Sequence, residues 1–107
     1  EMIIRGGINT YPKEIEQVIY ELPYIKEVAI VGVPDEKYGE EVVGYVAVYE
    51  NTQVTEAELI NYCKQKIANY RCPKRIYFLD SLPKNSVGKI SKHKLVELSK
   101  KDESMNL

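Results

Sequence analysis

The sequence is poor in the residues on which many active sites depend. It contains only two cysteines, Cys63 and Cys72, without CxxC spacing, and a single histidine, His93, which lies among lysines. These residues indicate neither a zinc site nor a histidine-based catalytic triad, and we expect both thiols to be reduced, as in a cytosolic protein. No metal site is therefore expected in this chain.

Long apolar segments are also missing. No unbroken apolar run approaches the roughly 20 residues that a membrane-spanning helix needs, and no positively charged start precedes an apolar core, as it would in a signal peptide. The chain begins at Glu1, within an ordered-looking pattern and without an initiator methionine, so we expect it to be a piece of a longer protein. The expected location is the cytoplasm.

The sequence carries no large excess of charge of either sign. A formal net charge of −1 and a pI near 5.9 argue against a domain that neutralises a nucleic-acid backbone. The charges are unevenly distributed, since acidic residues concentrate in residues 34–58 and lysines in residues 84–101. We therefore expect an anion to bind at the lysine-rich end, although a solvated helix face would show the same pattern.

The remaining pattern predicts one α+β domain of 107 residues. Residues 28–33 form a continuous apolar run rich in β-branched residues, typical of a strand that is covered on both faces. We predict a small two-layer domain, in which helices pack on a three-stranded sheet and a short hairpin precedes them. The predicted elements are a hairpin about Gly6-Gly7, a helix at 12–22, strands at 28–33 and 42–49 joined by a turn at 34–39, and a strand at 76–79. A second helix follows the capping box Thr55-x-x-Glu58 and has Leu59 to Ile67 on its inward face. A last helix runs from Ser91 to about Leu98, and a polar tail, residues 100–107, frays.

Lys89 lies in a turn-rich loop immediately before the last predicted helix. Its Gly88-Lys89 pair invites comparison with the phosphate-binding P-loop, G-x-x-x-x-G-K-[ST], but Pro83 replaces the first glycine and Ile90 replaces the hydroxyl residue. A P-loop is therefore excluded. A lysine on such a loop can still place a compact positive charge beside anionic oxygens, although an ordinary solvated lysine would have the same surroundings.

Two motifs together resemble the C-terminal domain of adenylate-forming enzymes of the acyl-CoA synthetase type. Residues 6–16 are similar to the loop and helix that follow the hinge in this superfamily, and residues 75–90 are similar to its closing motif. The resemblance covers residues 1–99. The glycine-containing segment is closer to fatty acyl and aromatic acyl-CoA ligases than to peptide-synthetase adenylation domains.

The resemblance implies a two-step acid–thiol ligase, which converts a carboxylic acid and ATP into an acyl-adenylate and then transfers the acyl group to coenzyme A. It implies that Lys89 serves adenylation, and that Gly6 and Gly7 line the path of the pantetheine arm once the small domain has rotated. Asn9 is a candidate to approach the nucleotide phosphate. Lys64 is a candidate for the phosphates of coenzyme A.

The same resemblance implies that the partner of this domain is a larger N-terminal domain of the same chain. That domain would hold the acyl pocket, the adenine site and most of the Mg²⁺ coordination, so this chain alone is expected to be inactive. A fatty acid is the first choice of substrate.

Several interpretations stay open at this stage. Lys64 and Lys66 would also be explained as solvated lysines, and Lys92 stands where many relatives carry an arginine, which puts a bidentate contact there in doubt. The acyl acceptor could be the phosphopantetheine of a carrier protein. The chain could also be an α+β interaction module without catalysis, whose lysine-rich end binds an acidic partner.

Overall fold

A computed structural model describes the backbone of residues 1–105 and the side chains of residues 1–101. It confirms the predicted α+β class, the three-stranded sheet and the N-terminal hairpin. The elements in chain order are β1 (Ile3–Arg5), β2 (Ile8–Thr10), α1 (Pro12–Tyr20), β3 (Ile25–Asp35), β4 (Gly39–Val48), α2 (Glu56–Lys66), a 3₁₀ turn (Asn69–Arg71), β5 (Arg75–Phe78) and α3 (Lys92–Met105).

The main sheet has the strand order β3-β4-β5. The central strand β4 is antiparallel to β3, with which it forms a hairpin, and parallel to β5. The strands β1 and β2 form a separate antiparallel pair. Since α2 and the 3₁₀ turn lie between β4 and β5 in the chain, they provide the crossover that a parallel pair requires.

Local sequence explains where the first two helices begin. Pro12 occupies the first turn of α1, where its missing N–H costs nothing, and Glu14 adds a favourable negative charge at that end. The hydroxyl of Thr55 accepts a hydrogen bond from the Glu58 N–H at 3.2 Å, which caps α2 as the capping-box spacing predicts.

Both faces of the main sheet are buried. Neighbouring residues of β3 point to opposite sides, so Ile30 packs in one core cluster and Val31 in another. Helices α1 and α2 cover the first face, whereas Leu95 of α3 and Leu82 cover the second. The sequence predicted two layers, and α3 adds a helical layer on the opposite face, because an apolar helix stripe does not specify which face of a sheet it covers.

Several element boundaries differ from the prediction. The turn predicted at residues 34–39 is shorter, because β3 continues through Pro34, whose missing N–H is tolerated on an edge strand. Helix α3 continues to Met105, beyond the predicted end near Leu98. The predicted fraying of residues 100–107 stays a prediction, since residues 106–107 lie outside the described residues.

The two cysteines are free, as expected from their spacing, and both are buried. Burial raises the pKa of the Cys63 thiol to about 12 and also raises the pKa of the Cys72 thiol. Both groups are therefore protonated near neutral pH and are poor nucleophiles.

Candidate functional site

Lys89 lies at the end of a small hairpin, residues 84–90, which we call the lysine hairpin. The first and last residues of this segment form an antiparallel bridge. Within it the Asn85 N–H donates to the Lys89 carbonyl at 2.7 Å, and the Asn85 side chain accepts the Lys89 N–H at 3.0 Å. Gly88 allows the return of the chain because it adopts a φ of 86°. The backbone of Lys89 is thus fixed by local hydrogen bonds.

The side chain of Lys89, in contrast, is exposed and makes no ion pair or hydrogen bond with any described residue. This separates it from three neighbouring lysines, which have partners within the domain. Lys84 pairs with Glu27 at 2.5 Å, Lys92 pairs with Glu16 at 2.9 Å, and Lys94 donates to the Lys84 carbonyl at 3.1 Å. The Lys89 ammonium can therefore bind an anion without first breaking an internal contact.

The lysine hairpin is attached to the sheet through Glu27 of β3. Its carboxylate accepts the N–H of Leu82 at 3.1 Å and binds the Lys84 ammonium at 2.5 Å. The Leu82 side chain is buried beneath this contact. The hydrogen bond from Lys84 is the main cause that holds the pKa of Glu27 below its usual value. Glu27 thus fixes the base of the segment that carries Lys89.

We expect Glu27→Gln to remove a pH-dependent part of the stability. Because the folded-state pKa is lowered, the unfolded chain binds the proton more tightly, and the stabilisation is complete above the ordinary glutamate pKa of about 4.3. It is lost as the pH falls through the lowered pKa. The thermal midpoints of wild type and Glu27→Gln should therefore differ at neutral pH and converge in acid.

Glu50→Gln provides the control for this measurement, since Glu50 is exposed and makes no ion pair within the described residues. Its midpoint should follow that of the wild type at every pH. A Glu27→Gln difference that persists unchanged in acid would contradict the assignment.

The second motif forms a two-residue turn between β1 and β2, the glycine turn (Gly6-Gly7). Both residues have positive φ, 57° and 82°, which matches the type of turn that closes a tight hairpin. They differ in their surroundings: a Cβ added to Gly6 would lie 3.1 Å from the ring of Tyr38, whereas one added to Gly7 would meet nothing within 4 Å. Gly7 is therefore the open member of the pair, and Asn9 is exposed on β2 beside it.

Lys64 lines an open groove of about 460 Å³ that lies next to the glycine turn. Arg5, which directly precedes the turn, lines the same groove, and so do Lys74 and Tyr70. Lys64 and Lys74 have no ion-pair partner among the described residues. We call this the basic groove, and its excess of unpaired cations suits a phosphate group.

The structure separates two lysines that the sequence placed together. Lys66, two residues after Lys64 on α2, lies outside the groove and 3.9 Å from the Glu21 carboxylate. Lys74, Tyr70 and Arg5 were not predicted as site residues. No sequence signal identifies them, because they come from β1 and from the segment before β5, which only the fold brings to Lys64.

Lys92 has a structural contact instead of an open charge. Its ammonium binds the carboxylates of Glu1 and Glu16, both at 2.9 Å, and so ties α3 to α1 and to the start of the chain. No group of three or more acidic, histidine or cysteine side chains suited to a metal ion occurs in the described part of the chain. Within that part, no helix is both long and apolar enough to cross a membrane.

Fold and site thus define a small α+β domain that exposes two turns, the lysine hairpin and the glycine turn, and a basic groove. Residues 14–89 match the family model described as the AMP-binding enzyme C-terminal domain, and the chain belongs to this family. The resemblance inferred from the two motifs is confirmed.

Curated relatives and solved structures agree with this assignment. The chain is 46% identical over 101 residues to a medium-chain acyl-CoA ligase, ACSF2, of Danio rerio, covering 94% of this chain and 17% of the relative. It is 43% identical over 97 residues to the long-chain-fatty-acid–CoA ligase FadD13 of Mycobacterium tuberculosis, covering 91% and 19%. A solved Mycobacterium tuberculosis fatty acyl CoA synthetase matches with a TM-score of 0.83 and 44% identity, covering 91% of this chain and 19% of that one. The chain therefore spans less than a fifth of the length of these relatives.

Proposed function

We propose that residues 1–99 form the mobile C-terminal lid domain of an AMP-forming acyl-CoA synthetase, and that Lys89 is its catalytic residue. The observation that carries this proposal is the exposed Lys89 ammonium, which has no internal partner although its backbone is fixed by the lysine hairpin. The complete enzyme would join a carboxylic acid, by preference a fatty acid, to coenzyme A at the expense of ATP. The enzyme would act in the cytoplasm, which supplies both ATP and coenzyme A.

In the first half-reaction a carboxylate oxygen bonds to the α-phosphorus of ATP, and the bond to pyrophosphate breaks. Two anions must approach each other, and negative charge moves onto the leaving group. A cation placed between the reacting oxygens lowers the energy of this transition state. Lys89 is suited to that role because its charge is not already neutralised within the domain. The larger domain would supply the acyl pocket and the Mg²⁺ site.

In the second half-reaction the thiol of coenzyme A attacks the acyl carbon, and AMP leaves. The long pantetheine arm needs a narrow, unobstructed path, which the open side of Gly7 can provide. Asn9, which is exposed beside the turn, would approach the nucleotide phosphate.

Rotation of the whole domain explains how the two turns serve one reacting centre. The lysine hairpin is anchored at Glu27, near the start of β3, whereas the glycine turn is anchored at Tyr38, just beyond the end of that strand. A packed sheet holds these anchors at a fixed separation, so the two turns cannot reach the same point together. One must withdraw before the other arrives.

The basic groove would bind the phosphates at the nucleotide end of coenzyme A. Lys64 and Lys74 are free to pair with them, and the groove lies beside the turn along which the pantetheine arm would pass. This also favours free coenzyme A as acceptor over the phosphopantetheine of a carrier protein, which lacks the 3′-phosphorylated nucleotide.

The test uses the full-length protein with ATP, Mg²⁺ and fatty acids of different chain length. We expect AMP and acyl-CoA to form with free coenzyme A. Charge reversal by Lys64→Glu should raise the KM for coenzyme A about tenfold, as expected for loss of a charged contact, and leave the KM for pantetheine, which lacks the phosphates, unchanged.

Lys66→Glu is the matched control, since Lys66 lies outside the groove and faces Glu21. Transfer to a holo-carrier protein but not to free coenzyme A would support the carrier-loading alternative. Absence of any acid-dependent AMP formation would favour a non-catalytic interaction module.

A further inference from the structure

We propose that Glu41 and Arg5 are positioning residues of the thioester step, which fix the shape of the glycine turn by clamping it to Tyr38. The inference rests on the proposed role of this turn in thiol transfer. None of the three residues was singled out by the sequence motifs, and their proximity arises from the fold, because Arg5 ends β1 whereas Tyr38 and Glu41 belong to the β3–β4 hairpin.

The base of this clamp is a buried ion pair. The Arg5 Nε donates to Glu41 Oε2 at 2.6 Å, and the same oxygen accepts the Val42 N–H at 2.9 Å. Glu41 is only 5% exposed, and its other oxygen, Oε1, has no hydrogen-bond partner among the described residues. Arg5 is therefore the principal source of charge compensation for a carboxylate that would be costly to bury alone.

The ion pair orients the guanidinium over an aromatic ring. The centre of the Arg5 guanidinium lies 3.8 Å from the centroid of the Tyr38 ring, a cation–π contact. Tyr38 is itself held in place, since its N–H donates to the Asp35 carboxylate at 2.8 Å. Glu41 thus acts on Arg5, and Arg5 acts on Tyr38.

Tyr38 then contacts the glycine turn directly. Its carbonyl accepts the Gly6 N–H at 2.9 Å, and its ring would lie 3.1 Å from a Cβ on Gly6, a tight contact. A further bond at 2.9 Å joins the Ile4 N–H to the Glu40 carboxylate. All these tethers come from one hairpin, and they approach the turn from the Gly6 side, so Gly7 stays open.

External support of this kind is needed because the β1–β2 hairpin that carries the glycine turn is very short. Its strands have three residues each, and an isolated two-stranded hairpin is marginally stable at best. Two consecutive glycines with positive φ also have many alternative conformations when untethered. Loosening the clamp would displace the turn and, with it, the path of the reacting thiol.

Glu41→Gln in the full-length enzyme tests the proposal, because it removes the charge while keeping the shape. We expect thioester formation from supplied acyl-adenylate to fall at least about tenfold, since a misplacement of about 1 Å can cost 10²-fold. Acid-dependent pyrophosphate exchange should stay within about twofold. Arg5→Lys, a milder change, should give a smaller loss in the same half-reaction. Adding Glu41→Gln to Arg5→Gln should cause no further loss, because Glu41 acts through Arg5.

Glu56→Gln is the matched control. Glu56 also accepts an arginine Nε, that of Arg75 at 2.8 Å, and a backbone N–H, that of Ile76 at 2.9 Å, but it lies on α2 away from the glycine turn. If its loss lowers thioester formation as selectively as Glu41→Gln, the effect is not specific to the contacts of the glycine turn and the proposal is wrong. Equal losses of both half-reactions in Glu41→Gln and Arg5→Lys would overturn it as well.

Gly7→Leu, measured in parallel, separates this inference from the proposed function. If Gly7→Leu impairs thioester formation but Glu41→Gln and Arg5→Lys do not, only the clamp is disproved. If none of the three impairs it, the glycine turn has no part in the thiol step.

Discussion

Lys89→Ala in the full-length enzyme is expected to lower acyl-adenylate formation by roughly 10²–10³, the usual cost of removing one preorganised charge from a transition state. Thioester formation from supplied acyl-adenylate should be spared, because the lysine hairpin would have left the reacting centre by then. Pyrophosphate exchange and single-turnover transfer to coenzyme A measure the two halves separately. The fold should be unaffected, since the hydrogen bonds that shape the hairpin come from the backbone and from Asn85.

Lys94→Ala is the matched control for charge, since Lys94 lies close by on α3 and its ammonium binds only the Lys84 carbonyl within the described part of the chain. It should change either half-reaction by no more than about twofold, as an exposed surface charge usually does. An equal loss of both half-reactions in Lys89→Ala would contradict the proposed role.

Gly7→Leu is expected to act on the opposite half-reaction. At a φ of 82° any side chain is strained, and a leucine would extend into the open space where the pantetheine arm is proposed to pass. Thioester formation from acyl-adenylate should fall by roughly 10², the scale of loss that follows from misplaced reactants. Pyrophosphate exchange should be nearly unchanged.

Gly7→Ala separates strain from obstruction, because alanine has the same backbone penalty but adds only a methyl group. Its transfer rate should lie much closer to that of wild type than to that of Gly7→Leu. A selective fall in pyrophosphate exchange in Gly7→Leu would refute the assignment of this turn to the thiol step.

Sequence patterns were most informative for those structural features whose physical cause lies within a few neighbouring residues. The helix that begins at Pro12, the capping box of Thr55 and Glu58 and the apolar run of β3 each depend on residues a few positions apart. The family could be inferred because its two motifs are also contiguous. Element ends were less predictable: Pro34 lies inside β3, because only its position on the sheet edge makes the missing N–H harmless.

The candidate site was predicted only in part. Lys89 and the two glycines could be singled out, but the difference between Gly6 and Gly7 depends on the Tyr38 ring, which lies far away in the sequence. The difference between Lys64 and Lys66, which are two residues apart on α2, also depends on residues that are remote in the sequence. Only Lys64 faces the basic groove, because β1 and the segment before β5 pack beside it.

The sequence by itself determined the α+β class, the order of the elements and the two turns that carry the proposed chemistry, since each follows from short-range sterics and hydrogen bonding. Only the tertiary structure decided which charged side chains stay unpaired and so remain available to bind a ligand. Lys84 and Lys92 are neutralised by acids on other elements, Arg5 is paired with a buried Glu41, and Lys89 has no such partner among the described residues. Electrostatic pairing depends on distance in space, and folding sets that distance between residues that are remote in the chain.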